Sequence, residues 1–259
     1  MKLPIRLTFA LVALLLVAPP GLRAASADTE RVDRTIPFQP GGSLTLKNFS
    51  GRVTITATDR PQVVVHAVRH GSRDQLDRIK LVITTSPGDI TIEADKKTES
   101  SWFHWGHDNV VRTDFDIEVP AKTDLRVHVF SSPVTISGVD GRLELKGFSS
   151  PLTVQDVSGP VHAGTFSGDI VVRSARWTPG ESLEARTFSG DIHLQVPATL
   201  KAHVQFRTFS GDIRSDVPMR FDSQRHGETS AELGGGSAAS GAATDFTLRT
   251  FSGSVHISR

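Results

Sequence analysis

Apolar and polar residues alternate one for one along most of this chain, and seven Phe-Ser-Gly or Phe-Ser-Ser corners punctuate the pattern, beginning at Phe49, Phe130, Phe148, Phe166, Phe188, Phe209 and Phe251. Before each corner the apolar residues fall on every second position, as in Leu44/Leu46, Leu125/Val127/Val129, Leu143/Leu145, Val161/Ala163, Leu183/Ala185, Val204/Phe206 and Phe246/Leu248. A second alternating run follows it, as in Val53/Ile55, Val134/Ile136, Leu152/Val154, Ile170/Val172, Ile192/Leu194 and Val255/Ile257. A period of two is the mark of a strand with one buried face. Each unit therefore reads strand, corner, strand, then a return loop such as Val196-Pro197-Ala198. The corners from Phe130 to Phe209 are 18, 18, 22 and 21 residues apart, and the last step, 42, is two such periods. A short structural unit recurring at a fixed period implies a repeat architecture.

Two all-β folds can use this unit. In an antiparallel hairpin meander, Ser189-Gly190 is a two-residue turn that pairs Thr187 with Ile192 and leaves Phe188 on the polar face. In a single-stranded β-helix, or β-solenoid, of roughly 18–22-residue coils, the corner lets the ring turn inward and stack on its counterpart about 4.8 Å away. Burying each ring contributes roughly 1.5–3 kcal/mol, so the solenoid is the expected fold, with Phe188→Ala costing about 3–5 kcal/mol. Gly168, Gly190, Gly211 and Gly253 suit the corner because glycine tolerates positive φ.

The pattern is weaker before residue 123. Val63 to Val68, Leu81 to Thr84, Ile90 to Ala94 and Val111 to Val119 read as strands of a less regular first part of the same stack, and Ser72 to Ile79 is the one helical segment expected. Two stretches break the alternation: residues 99–109, rich in Trp and His, and residues 223–243, a Gly/Ser/Ala-rich insertion expected to be a loop.

Lys2 and Arg6, an apolar run from Leu7 to Ala18 and the sequence Ala25-Ser26-Ala27 have the form of a secretory signal peptide over residues 1–27. Its apolar run is shorter than the ~20 residues needed to cross a bilayer. A lead-in over 28–39 and a repeat domain over 40–259 follow, the latter divided into an irregular part, 40–122, and regular coils, 123–259. The expected location is the periplasm, the cell surface or the medium, with no transmembrane segment in the mature chain. The whole chain has 29 basic and 28 acidic residues; removing Lys2, Arg6 and Arg23 with the signal leaves 26 against 28. Near-neutrality argues against nucleic acid and against polybasic docking on anionic lipid. With no cysteine there are no disulfides and no thiol nucleophile.

The run Asp114-Phe115-Asp116-Ile117-Glu118-Val119-Pro120, then Leu125-Arg126-Val127 and the Thr-Phe-Ser-Gly-Asp-Ile repeats at 165–170, 187–192 and 208–213, resembles the putative-adhesin domain family of bacterial envelope proteins over roughly residues 40–259. The resemblance implies a right-handed β-helix-like stack, exported to the envelope, without established catalytic residues.

Candidate chemistry is sparse. Asp169, Asp191 and Asp212 follow the corner in three successive units and would form a carboxylate ladder. Calcium binding would need further oxygens, and a glycosidase pair would be unique rather than repeated. Acceptance of backbone hydrogen bonds at a tight corner accounts for them better. Trp102, Phe103, His104, Trp105 and His107 are the cluster that the repeat leaves unexplained, read as a binding site or as a cover for the first coils. His104 and His107 alone supply too few ligands for a metal site. His128, His162, His193 and His256 lie between inward positions and face solvent. Neither a metal nor a cofactor is expected. The function expected is non-enzymatic: a β-repeat scaffold for adhesion or for binding an unknown envelope protein or glycan. A polysaccharide-processing β-helix enzyme and a structural envelope-stress component are the alternatives. The strand-like end, Ser252 to Arg259, is expected to leave an edge that a second copy could cover.

Overall fold

The alternating segments form strands wherever the structure, a computed structural model, describes the chain: residues 28–97, 110–178, 180–197, 199–225, 228–234 and 244–259. The signal segment and the Trp102–His107 cluster lie outside the described residues. The first part contains β1 (Asp28–Pro37), β2 (Ser43–Ser50), β3 (Val53–Thr58), β4 (Gln62–Gly71), α1 (Arg73–Arg78), β5 (Ile79–Ser86), β6 (Asp89–Lys97) and β7 (Arg112–Pro120). The regular coils follow as strand pairs: β8 (Asp124–Ser131) and β9 (Val134–Ser137), β10 (Leu143–Ser149) and β11 (Leu152–Gln155), β12 (Val161–Ser167) and β13 (Ile170–Arg173), β14 (Ser182–Ser189) and β15 (Ile192–Gln195), β16 (Ala202–Ser210) and β17 (Ile213–Ser215). Last come β18 (Met219–Arg225), β19 (Glu228–Leu233), β20 (Thr244–Ser252) and β21 (Val255–Ser258).

These strands build two sheets facing each other across one core. The longer strand of each coil joins one sheet and the shorter strand, past the corner, joins the other. Strands of successive coils pair in parallel and in register, for example Leu143↔Val161 and Val161↔Leu183 in the first sheet and Leu152↔Ile170 in the second. A hairpin meander would make consecutive strands antiparallel, so the fold is a β-solenoid. Equivalent residues stack into columns. Leu44, Leu125, Leu143, Val161, Leu183, Phe246 and Val204 form one inner column, with exposures of at most 1%. Where parallel sheets have both inner faces covered in this way, burial supplies most of the stability.

The regular coils do not stack in chain order. β20 lies between β14 and β16, and β21 between β15 and β17, so the coil ending the chain is inserted between the two that precede it. The 42-residue step is thus not two coils in sequence. It holds an antiparallel hairpin, β18–β19, laid along β16, which includes part of the stretch expected to be a loop over 223–243. The C-terminal strand is consequently internal to its sheet and is not the edge expected of it; the edge strand at that end is the three-residue β17. Short edge strands resist unwanted pairing.

At the other end the four weaker segments are all strands, but β4 pairs antiparallel with β1 and β7, and β5 antiparallel with β6. β6 and β7 still pair in parallel and in register with β2 and β3, as an irregular coil of the same stack, and β1, β4 and β5 close it on the outer side. The expected helix is α1, capped by Ser72 in a capping box with Gln75, and its Leu76 packs with Ile79 and Val111.

Candidate interaction face

The alternation does not stop at the corner phenylalanine. Val161, Ala163 and Thr165 face the core, so His162, Gly164 and Phe166 face out, and the same parity holds in every unit. The inward ring expected from its burial energy is therefore corrected: Phe49, Phe130, Phe148, Phe166, Phe188 and Phe251 are 39–48% exposed and Phe209 is 79% exposed. Parity changes only after the ring. Gly168, Gly190, Gly253 and Gly211 have φ of 141–152°, and this turn brings Ile170, Ile192, Val255 and Ile213 onto the core side. No other residue fits there, since a Cβ on Gly190 would stand 2.2 Å from the carbonyl oxygen of Gly168.

The rings nevertheless stack on one another, in the spatial order 49, 130, 148, 166, 188, 251, 209, with centroids 4.6–5.1 Å apart and planes within 3–8°. Six steps of ~4.8 Å make a straight apolar ridge ~29 Å long, the inter-strand spacing setting the repeat. Phe49 and Phe209 end the ladder, each with a ring on one side only, and Phe209 is the more exposed of the two. Face-to-face stacking covers the ring faces and leaves the edges outward, and the edges carry the positive end of the ring quadrupole.

Beside this ridge, two residues upstream of each Phe, stand Lys47, His128, Lys146, Gly164, Arg186, Arg249 and Arg207, in register from strand to strand. The sequence reading missed this row because it weighed charge over the whole chain; aligning the repeats on Phe would have exposed it. Two grooves run between ridge and row. One, of about 520 Å³, is bordered by Lys47, His128, Lys146, Glu93 and Asp95. The other, of about 720 Å³, is bordered by Arg186, Arg249 and Arg207 with no carboxylate among its lining residues. The ion pairs Lys47–Glu93 and Lys146–Glu144 partly neutralise the first half. The hydrogen bond from Lys146 holds the Glu144 carboxyl below its ordinary value. Burial pushes His128 below its ordinary value, reinforced by Lys146, and its Nε2 is buried without a hydrogen-bond partner.

Asp169 and Asp191 sit on neighbouring coils, but Ser254 separates Asp191 from Asp212, so the three carboxylates are not consecutive. The Asp191 N–H donates to Asp169 Oδ1 at 2.9 Å and the Ser254 N–H donates to Asp191 Oδ1 at 2.7 Å. These are corner contacts between coils. Thr165, Thr187, Thr250 and Thr208 do similar work from below the ridge, donating to carbonyls of the adjacent coil at 3.1–3.2 Å. Among the described residues no cluster of three or more His, Asp or Glu could hold a metal ion, and no helix is long and apolar enough to cross a membrane. His162, His193 and His256 lie on the outer faces, His162 against Glu184 at 3.1 Å.

Solved structures similar to the chain include a putative cell adhesion protein from Clostridium sporogenes, at 12% identity and TM-score 0.48 over 88% of this chain and 99% of that one. They also include a putative adhesin from Bacteroides fragilis, at 11% identity and TM-score 0.41 over 88% and 97%. A putative lipid binding protein from Parabacteroides distasonis aligns at 13% identity and TM-score 0.39 over 88% and 97%. Among curated proteins none matches the chain. One family model matches part of the chain: residues 141–258, from β10 to β21, are similar to the Toastrack DUF4097 family.

Proposed function

We propose that this protein is an exported, non-enzymatic β-solenoid scaffold of the bacterial envelope, and that the phenylalanine ridge is its contact surface. The observation that carries the reading is the exposure of seven registered rings. Monomeric proteins seldom leave a contiguous apolar patch of this kind uncovered unless it serves an interaction. Asp169 and Asp191 support the non-enzymatic reading, because their carboxylates are engaged with backbone N–H groups of the next coil. The Trp102–His107 segment remains a second proposed contact site, outside the described residues.

The test is capture of envelope components by the chain from Asp28 onward, compared with Phe166→Ser/Phe188→Ser/Phe251→Ser. Loss of specific capture with an unchanged thermal midpoint supports the ridge as the contact surface, and undiminished capture refutes it. Asp169→Asn and Asp191→Asn address the enzymatic alternative: loss of polysaccharide turnover with the fold intact would overturn the scaffold reading.

A further inference from the structure

We propose that the second groove, between the C-terminal half of the ridge and the arginine row, docks the protein on an anionic phospholipid surface. The inference rests on the ridge being a contact surface, and it names the chemistry of the partner.

Four observations converge on it. First, Arg186, Arg249 and Arg207 are directly registered on adjacent strands. Like charges facing each other across a ladder destabilise a sheet, so the fold gains nothing from three of them in line. Second, their charge is incompletely answered. Arg186 pairs with Glu184, Arg249 reaches Glu228 only at 4.0 Å, and Arg207 makes no ion pair among the described residues. The Arg249 Nε is buried with no hydrogen-bond partner, a donor without an acceptor. Third, the opposite wall, Phe166, Phe188, Phe251 and Phe209, offers ring edges. Covered ring faces are unavailable for stacking on sugars or cations, whereas positive edges suit phosphate oxygens and acyl chains. Fourth, Gly164 occupies the row position next to Arg186 on an extended strand, where it weakens the sheet. A Cβ there would meet nothing nearer than 3.8 Å, so packing does not require glycine, and the gap opens the groove.

Identical groups repeating every ~4.8 Å offer no unique pocket for one side chain. They suit a partner that is itself laterally uniform, with phosphates above hydrocarbon, as at a bilayer surface. The near-neutral composition concealed this because it averages over the whole chain three arginines that the strand register places side by side.

The chain from Asp28 onward, which contains every described strand, is to be sedimented with vesicles of phosphatidylcholine alone and of equal parts phosphatidylcholine and phosphatidylglycerol. Binding is expected to the anionic vesicles and to fall with added salt. Arg186→Gln/Arg249→Gln/Arg207→Gln should weaken it roughly 100-fold, at ~5-fold per charge. Gly164→Glu should weaken it at least ~5-fold without lowering the thermal midpoint. Equal binding to both vesicle types, retention on the acidic polysaccharide alginate in place of vesicles, or a triple variant that binds as well as the parent would each overturn the assignment. Absence of vesicle binding, while the phenylalanine triple variant still loses envelope capture, refutes the lipid partner and leaves the contact surface standing. If capture also survives that variant, the contact surface itself is refuted.

Discussion

Phe206 and Phe209 lie three residues apart on one strand and differ as much as two phenylalanines can. Phe206 is 1% exposed among aliphatic columns, while Phe209 is 79% exposed at the end of the outer ladder. Both recur in register with equivalents on neighbouring coils, so repetition alone does not reveal which column holds the fold together. The inner columns gain from removal from water. The outer ladder gains only mutual ring contact, and the remaining surface is free for a partner.

Substitutions can break this contrast. Phe206→Ala should destabilise by about 3–5 kcal/mol through loss of a buried ring and the cavity left behind, read from equilibrium denaturation. An effect below that of Phe209→Ala would reverse the assignment of the two columns. Gly253→Ala comes next, with at least the ~1–3 kcal/mol of a side chain forced into this backbone region; its Cβ would also stand 2.0 Å from the Gly190 carbonyl oxygen. Phe188→Ala, which has a ring on each side, should cost about 1–2 kcal/mol, and Phe209→Ala, with one, about 0.5–1 kcal/mol. Equal losses at these two positions would show that the stacking contributes nothing measurable.

The smallest effects are in pH. Burial holds His128 below its ordinary value of 6.5. Its neutral form therefore supports the fold above pH 6.5, and that support is lost as pH falls toward its lower folded value. His66, on the antiparallel end, is raised above 6.5 by its hydrogen bond to Asp33. Its contribution is present below 6.5 and lost as pH rises through the raised value, and its exposure keeps the effect small. Denaturation midpoints should thus respond to pH with opposite signs: His128→Gln should flatten the acid side and His66→Gln the alkaline side. The same sign at both positions would refute the assignment.

The antiparallel end and the regular coils also differ in how readable they were. The strands of both were legible from alternation, as was α1 from its spacing and Ser72 cap. Their partners were not equally so. At Val63–Val68 and Leu81–Thr84 the pattern fixes a buried face but is silent on strand direction, and the stack closes there with antiparallel neighbours. Among the coils the copies are too alike to say which follows which. The Trp177 ring, packed edge-on against Phe246 at 5.0 Å, accompanies the placement of β20 beside β14, a contact between residues 69 positions apart. The candidate site was half visible: the rings were noticed and assigned to the wrong side, while the arginines beside them went unnoticed.

Sequence alone determined the strands, the corner glycines and the solenoid coil, because each follows from local parity and local backbone sterics. It even held the outward direction of the phenylalanines, since alternation runs unbroken through Thr165 and Phe166. Tertiary structure decided that exposed rings could be tolerated, by giving each a neighbour ~4.8 Å away. It also decided the insertion of the last coil, the hairpin along β16 and the alignment of Arg186, Arg249 and Arg207 into one row. Those depend on which coil lies beside which, and near-identical repeats do not specify that in their own residues.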